Sequence, residues 1–205
     1  MMEINFIITC FNKEQYWPYL RTILNSYIKI QPHIAYCYNG KNEKEICDFK
    51  CENRGQSPGD ADLIIGGYRL LKNNGIKKWI KLSVDSWLLN EDIILDIFNN
   101  MEKKNMWYGG ATWVHSNHMA TDIIFATTEL LEEFCNSMKE FNKNINMPLE
   151  QHMYKIVTKR KYYLIPGRHP VPYGSEGTRH IANSLGWTMQ HKLEDNIAFM
   201  NNYHQ

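Results

Sequence analysis

Asp85 ends one apolar run and begins another, in the stretch Ile80–Asn90, IKLSVDSWLLN. A buried strand that ends in a carboxylate presents it at the carboxyl edge of a sheet, where open α/β sheets bind their ligands. An acid in that place suits a hard cation such as Mg²⁺ or Mn²⁺ carrying substrate phosphates. Asp is equally at home in a turn or as a helix N-cap, so both readings stand on this residue alone. The first strand also ends in polar and aromatic groups, Thr9-Cys10-Phe11-Asn12. They can stack a base and hydrogen-bond its edge, while Phe11 can also staple the helix that follows. There is no Gly-x-Gly-x-x-Gly after that strand, no Gly-x-x-x-x-Gly-Lys and no Gly-x-Ser-x-Gly. Dinucleotide, P-loop and nucleophile-elbow chemistry are therefore unsupported.

The elements that must position these groups read in alternation. Ile4–Cys10 has the composition of a strand, and Glu14–Tyr27 has helical spacing through Trp17, Leu20, Ile23, Leu24 and Tyr27, with Pro18 in the first turn. His33–Tyr38 is a second strand closed by Asn39-Gly40, and a short third lies near Ile46–Glu52. Asn53–Gly59 reads as a loop, Asp60–Asn74 as a helix stopped by Gly75, and Trp79–Val84 as the fourth strand. Asn90 caps a helix to Lys104. Beyond it come strands at Met106–Val114, Asp122–Ala126 and Lys161–Ile165, and helices at Thr128–Phe141, Pro148–Val157 and Leu193–Tyr203. This order predicts an α/β fold with a mixed, mainly parallel sheet flanked by helices.

At 205 residues the chain suits one domain, expected to span 1–205 with a ligand-binding half at 1–104 and a second half at 105–205. With 43% hydrophobic and 13% aromatic residues it is a globular sequence. The net charge of +1, with no long basic block, gives no sign of a nucleic-acid partner. No run is long and apolar enough for a membrane span, and the first residues lack the features of a signal peptide. The five cysteines are odd in number and sit mostly in apolar runs, which fits buried thiols in a reducing compartment. A cytoplasmic location is expected.

Several of these segments resemble the nucleotide-binding half of GT-A fold glycosyltransferases, of the family 2 type. They are IITCFNKEQYWPYLRTILNSY, IAYCYNG, ENRGQSPGDADLIIGGYRLLKNNG and KLSVDSW. Four segments in this order over roughly half the chain are more specific than any one of them. The resemblance implies a GT-A, Rossmann-like fold and a nucleotide-sugar donor, UDP-linked before others. It implies Mn²⁺ or Mg²⁺ as cofactor and a glycan or other hydroxyl acceptor, with inversion at the anomeric carbon. Thr9, Phe11, Asn12, Asn39, Arg54 and Asp60 would line the pocket for base and ribose. Ser83, Val84 and Asp85 stand where the family has its Asp-x-Asp motif, here reduced to one carboxylate. Asn39 stands where family 2 usually has an Asp; its amide oxygen still accepts a hydrogen bond.

Asp85 is then the metal ligand, with His180 or His191 as a second candidate or as plain surface histidines. Arg168, Arg179 and Lys192 are possible diphosphate clamps. An inverting transfer needs a general base for the acceptor hydroxyl. Glu150, in MPLEQHMY, resembles the family's acidic residue at a helix head, and it also complements the helix dipole there. Asp122, in ATDIIFA, could bind sugar hydroxyls or be the base itself. Around Gly109-Gly110, the rings of Trp107, Trp113 and His115 could stack on the acceptor, though core packing accounts for some rings too. Two other functions remain open on this sequence: a sugar-phosphate nucleotidyltransferase, for which CFNKEQ offers only Lys13 and no glycine, and a catalytically silent nucleotide- or carbohydrate-binding domain.

Overall fold

Seven consecutive buried residues, Ile4–Cys10, run along strand β1 (Met2–Cys10), the pattern of a strand covered on both faces by helices. The structure is a computed structural model that describes residues 1–41, 47–111, 117–143, 147–165, 187–189 and 192–203. After β1 come a 3₁₀ turn (Glu14–Tyr16), α1 (Trp17–Asn25), β2 (Ile30–Tyr38), β3 (Phe49–Lys50), α2 (Gln56–Leu71) and a second 3₁₀ turn (Lys72–Asn74). Then follow β4 (Lys78–Ser83), β5 (Ser86–Leu88), α3 (Glu91–Lys103), β6 (Tyr108–Gly110), β7 (Ile123–Thr127) and α4 (Thr128–Lys143). The last elements are α5 (Leu149–Val157), β8 (Tyr162–Leu164), β9 (Trp187–Met189) and α6 (Leu193–Tyr203).

The main sheet has seven strands in the order β3-β2-β1-β4-β7-β6-β8. Pairing is parallel for β1 with β2 and β4, for β2 with β3, and for β6 with β8. β7 runs antiparallel between β4 and β6. β5 and β9 form a separate antiparallel ribbon. The expected mixed, mainly parallel α/β sheet is therefore present.

Side chains alternate between the two faces of each strand. Phe6, Ile8, Ile80 and Leu82 pack with Leu20 and Leu24 of α1 and Ile94 and Phe98 of α3. Ile7, Cys37, Trp79 and Ile124 pack on the other face with Ile64 of α2, Phe134 of α4 and Met153 of α5. Helix α2 lies close on the sheet because it carries a glycine at the contact. A Cβ on Gly67 would stand 2.6 Å from Ile7 Cγ2 and 3.1 Å from Cys37 Sγ.

Some boundaries move from those read in sequence, for identifiable reasons. α2 begins at Gln56 and takes in the expected loop residues Pro58 and Gly59, because a first helical turn does not need the N–H that proline lacks. α1 ends at Asn25, with the Ser26 N–H bonded back to Thr22 O and Ile23 O. Tyr27 turns away from it, and its hydroxyl donates to Leu88 O at 2.6 Å. β3 and β6 are shorter than expected, and β5 and β9 are short strands that the sequence reading did not assign. Three-residue apolar runs carry too little periodicity to reveal a strand. None of the five cysteines is in a disulfide. Among the described residues no helix is long and apolar enough to cross a membrane.

The tight seat of α2 gives a direct test. Gly67→Ala forces Ile7 or the helix to shift and should cost about 1–3 kcal/mol, the usual penalty for overpacking, read as a lower urea midpoint with an unchanged slope.

Candidate functional site

From β1 the chain order runs one way to β2 and β3 and the other way to β4. At such a reversal two connections part and leave a crevice outside the carboxyl ends of the strands. The residues there are Thr9 to Asn12 after β1, Asn39 and Gly40 after β2, and Ser83 to Asp85 after β4. Because β7 is antiparallel, its amino end meets the same edge and brings Asp122 with it. Main-chain bonds tie these ends together. Val84 N donates to Thr9 O at 2.9 Å, Asn39 N to Cys10 O at 3.2 Å and Ser83 N to Asp122 O at 2.8 Å. Asn12, at φ 51°, is in the left-handed region that Asn tolerates, and its side-chain oxygen accepts from Lys41 N at 2.9 Å.

Strand alternation sends Thr9, Asn39, Lys81, Ser83 and Asp122 to the face that carries α2, and α2 adds Asp60. At the centre of this group is a residue the sequence reading passed over. The Lys81 side chain is 2% exposed, and Nζ donates to Asp60 Oδ2 at 2.8 Å, Ser83 Oγ at 3.1 Å and Thr121 O at 2.6 Å. Its ammonium has three donors and all are used. A lysine inside an apolar strand, IKLSV, was the available signal, since a fully buried lysine is almost always paired.

The network reaches the two candidate bases. Thr121 Oγ1 donates to Glu150 Oε1 at 3.4 Å, and Met119 N donates to Glu150 O at 3.0 Å. α5 is set in place by Leu149 N donating to Ser57 Oγ of α2 at 2.6 Å. Glu150, half-buried in the first turn of α5, and Asp122, next to Thr121 in the chain, thus approach one edge from different elements.

Asp85 lies in the turn between β4 and β5, and its side chain is only 7% exposed. Its carbonyl accepts from Asn196 Nδ2 of α6 at 3.0 Å, so the ribbon and last helix bring a C-terminal segment onto this turn. The sequence reading left Asp85 without a counter-charge. The structure corrects this: Lys13, from the loop after β1, forms an ion pair with Asp85 Oδ2. Beneath it lies Tyr16, whose ring centroid is 5.9 Å from the Lys13 ammonium. Burial, and then Asp85, Glu194 and Asp195, push the Tyr16 hydroxyl up to about 12, so it stays protonated at neutral pH.

Other expected residues divide. Asn39 is 1% exposed, wedged against Gly59, and among the described residues its Oδ1 has no hydrogen-bond partner. Phe11 is half-buried at the end of β1. Arg54 is turned to Asp62 of α2, with Nε 2.8 Å from Oδ2 and Nη2 2.7 Å from Oδ1, and among the described residues no hydrogen bond joins it to the group at the edge. Trp107 is a correction. It precedes β6 and its carbonyl accepts from Thr127 N at 3.1 Å, which puts it at the amino edge, with Arg160 at 4.9 Å over its ring. Trp113, His115, His180 and His191 lie outside the described residues, as do Arg168 and Arg179.

Among the described residues no three His, Cys, Asp or Glu side chains form a metal-holding group. Asp85 alone is still a fitting partner for Mg²⁺ or Mn²⁺, since such ions are commonly held by one or two carboxylates together with substrate phosphates and water. The donor set therefore suits a cation that arrives with a diphosphate.

No protein-family model matches the chain, and no curated protein matches it. Solved structures do. A glycosyltransferase involved in glycosylation of the major capsid of PBCV-1 shares 13% identity at a TM-score of 0.54, over 98% of each chain. A mannosyltransferase from Pyrobaculum calidifontis, in complex with GDP-Man and Mn²⁺, shares 10% at 0.54, over 89% of this chain and 61% of its own. A cytidylyltransferase from Leptospira borgpetersenii shares 13% at 0.52, over 84% of this chain and 79% of its own. The chain has the GT-A-like, Rossmann-like fold that these transferases share.

The Lys81 network has a measurable weight. Lys81→Met leaves the Asp60 carboxylate without its cation and should cost about 3–5 kcal/mol, read by urea denaturation. Adding Asp60→Asn should recover part of that loss in a double-mutant cycle; strict additivity would show the pair to be uncoupled.

Proposed function

We propose that this protein is a glycosyltransferase that moves a sugar from a nucleotide-diphosphate donor, UDP-linked before others, to a glycan or other hydroxyl acceptor with inversion. One observation carries the reading. At the reversal of strand order, Thr9, Asn39 and Asp85 stand at one edge with the carboxylates of Asp122 and Glu150. That combines a place for a base, a place for a diphosphate and a candidate proton acceptor.

The base would enter at the ends of β1 and β2, against Phe11 and Asn39. A buried carbonyl oxygen without a partner is costly, and a ring N–H such as that of uracil would satisfy the Asn39 amide. Asp85 would hold the divalent cation, Mn²⁺ or Mg²⁺, whose charge neutralises the leaving diphosphate. Asp60, fixed by Lys81, supplies a carboxylate for ribose or sugar hydroxyls where Ser83 cannot. Glu150 would take the acceptor proton; in support, the first turn of α5 is partly open to solvent and Thr121 Oγ1 donates to its carboxylate. Asp122, nearly buried, orients the donor sugar.

A sugar-phosphate nucleotidyltransferase is the second reading, favoured by the likeness to a cytidylyltransferase. It predicts pyrophosphate release from a nucleoside triphosphate and a sugar phosphate, whereas the first reading predicts release of a nucleoside diphosphate.

Calorimetric titration with UDP, GDP and CMP in Mn²⁺ should show binding, strongest for UDP; no binding by any of them defeats the proposal. Asp85→Ala should abolish metal-dependent donor turnover in a protein that still melts cooperatively, and full activity in EDTA would remove Asp85 from this role. Glu150→Gln should lose about 10²–10⁴ in rate while keeping its donor affinity. If Asp122→Asn is dead and Glu150→Gln active, the two roles are exchanged.

A further inference from the structure

Lys13 belongs to no role assigned so far, yet it forms an ion pair with the residue on which the proposed chemistry turns. We infer that Lys13 is a resident counter-ion that occupies the metal's seat on Asp85 and passes to the diphosphate when metal and nucleotide enter. This rests on the reading of Asp85 as the metal-holding residue.

Both ends of the ion pair support it. The Asp85 side chain is 7% exposed, and a carboxylate so far from water needs a cation. Its turn cannot easily move. Val84 N is bonded to Thr9 O, and the Asp85 carbonyl holds Asn196, which is itself fully buried. Lys13 is the mobile partner: its side chain is 29% exposed and its ammonium rides on a flexible four-carbon stem. A metal on this carboxylate would stand within a few ångströms of the Lys13 ammonium, and like charges that close in a half-screened site repel strongly. The repulsion favours displacement of the cation on the flexible stem.

Where Lys13 goes follows from its neighbours. It extends from the loop that closes β1, beside the ends of β2 and β4, so a diphosphate held at Asp85 lies within the sweep of its stem. Lysine binds phosphate as a point charge, without the fixed fork of arginine. Among the described residues, Lys81 is committed to three acceptors and Arg54 to Asp62. The acidic groups Glu194 and Asp195 also raise the Tyr16 hydroxyl beneath it, so this corner is acidic. The exchange keeps Asp85 neutralised before and after the ligand arrives. It also makes metal binding weak until a diphosphate is present to receive the lysine.

The test separates the metal from the nucleotide. Mn²⁺ binding is measured by electron paramagnetic resonance on wild type, Lys13→Gln, Lys13→Arg and Asp85→Asn, first with Mn²⁺ alone and then with UDP or GDP added. Lys13→Gln should bind Mn²⁺ alone roughly tenfold or more tightly than wild type, and bind Mn²⁺ with nucleotide roughly tenfold more weakly. Lys13→Arg, which keeps the charge, should gain no affinity for Mn²⁺ alone. A second measurement needs no variant: acetylation of Lys13 in wild type, followed by mass spectrometry, should rise with Mn²⁺ alone and fall when Mn²⁺ and UDP are added together. Unchanged Mn²⁺ affinity in Lys13→Gln, with Asp85→Asn unable to bind, overturns the exchange and leaves Asp85 as the metal residue. Losses of both affinities in Lys13→Gln overturn it too, since Lys13 would then only support the turn. If Asp85→Asn binds Mn²⁺ like wild type, the metal assignment itself falls, and this inference with it.

Discussion

A buried lysine ammonium holds the carboxyl edge of the sheet together. Lys81 draws its partners from three parts of the chain: Asp60 from α2, Ser83 from its own strand and Thr121 from the approach to β7. Moving an ammonium out of water costs several kilocalories unless each donor finds an acceptor, and here each does. The demand is mutual. Asp60 cannot sit at the edge without a cation, and Thr121 is held where its hydroxyl can reach Glu150. Helix α2, strand β4 and helix α5 are set relative to one another by this charge and by the Ser57 hydroxyl at the start of α5.

The same arrangement brings a second carboxylate near the thin acidic motif. Ser83 and Asp85 provide one carboxylate, and Asp60 lies close to Ser83 in space though not in sequence. Asp60 and the Ser83 hydroxyl both contact the Lys81 ammonium, so a carboxylate borne by α2 lies beside the hydroxyl of β4. Short-range spacing rules miss such a juxtaposition, because the helix and the strand that meet at Lys81 are separated along the chain.

What could be read from the chain and what could not divide along this line. Strands of five residues or more and the long helices were legible, since burial on one or both faces imposes a period on the sequence. Asp85 at the carboxyl edge followed from an apolar run ending in an acid. The partners of Asp85 and Lys81 did not follow, because ion pairs across 72 and 21 residues leave no local trace. Trp107 was misplaced for a related reason. Three residues of β6 carry the chain across the sheet, so neighbours in sequence end up at opposite edges. β5 and β9 pair across the chain, and only the pairing shows either of them to be a strand.

The antiparallel strand in the middle of the sheet sets the order in which the protein can be completed. A chain made from its amino end forms β1, β2 and β4 early, with α1 and α2 available to cover them. The free side of β4 then waits for β7, and an uncovered strand edge is a template for pairing with other chains. Residue 196, which closes over Asp85, emerges later still. Synthesis on the ribosome therefore passes through a stage in which half the sheet stands with its seam open, and during that stage the chain is exposed to the errors that chaperones guard against.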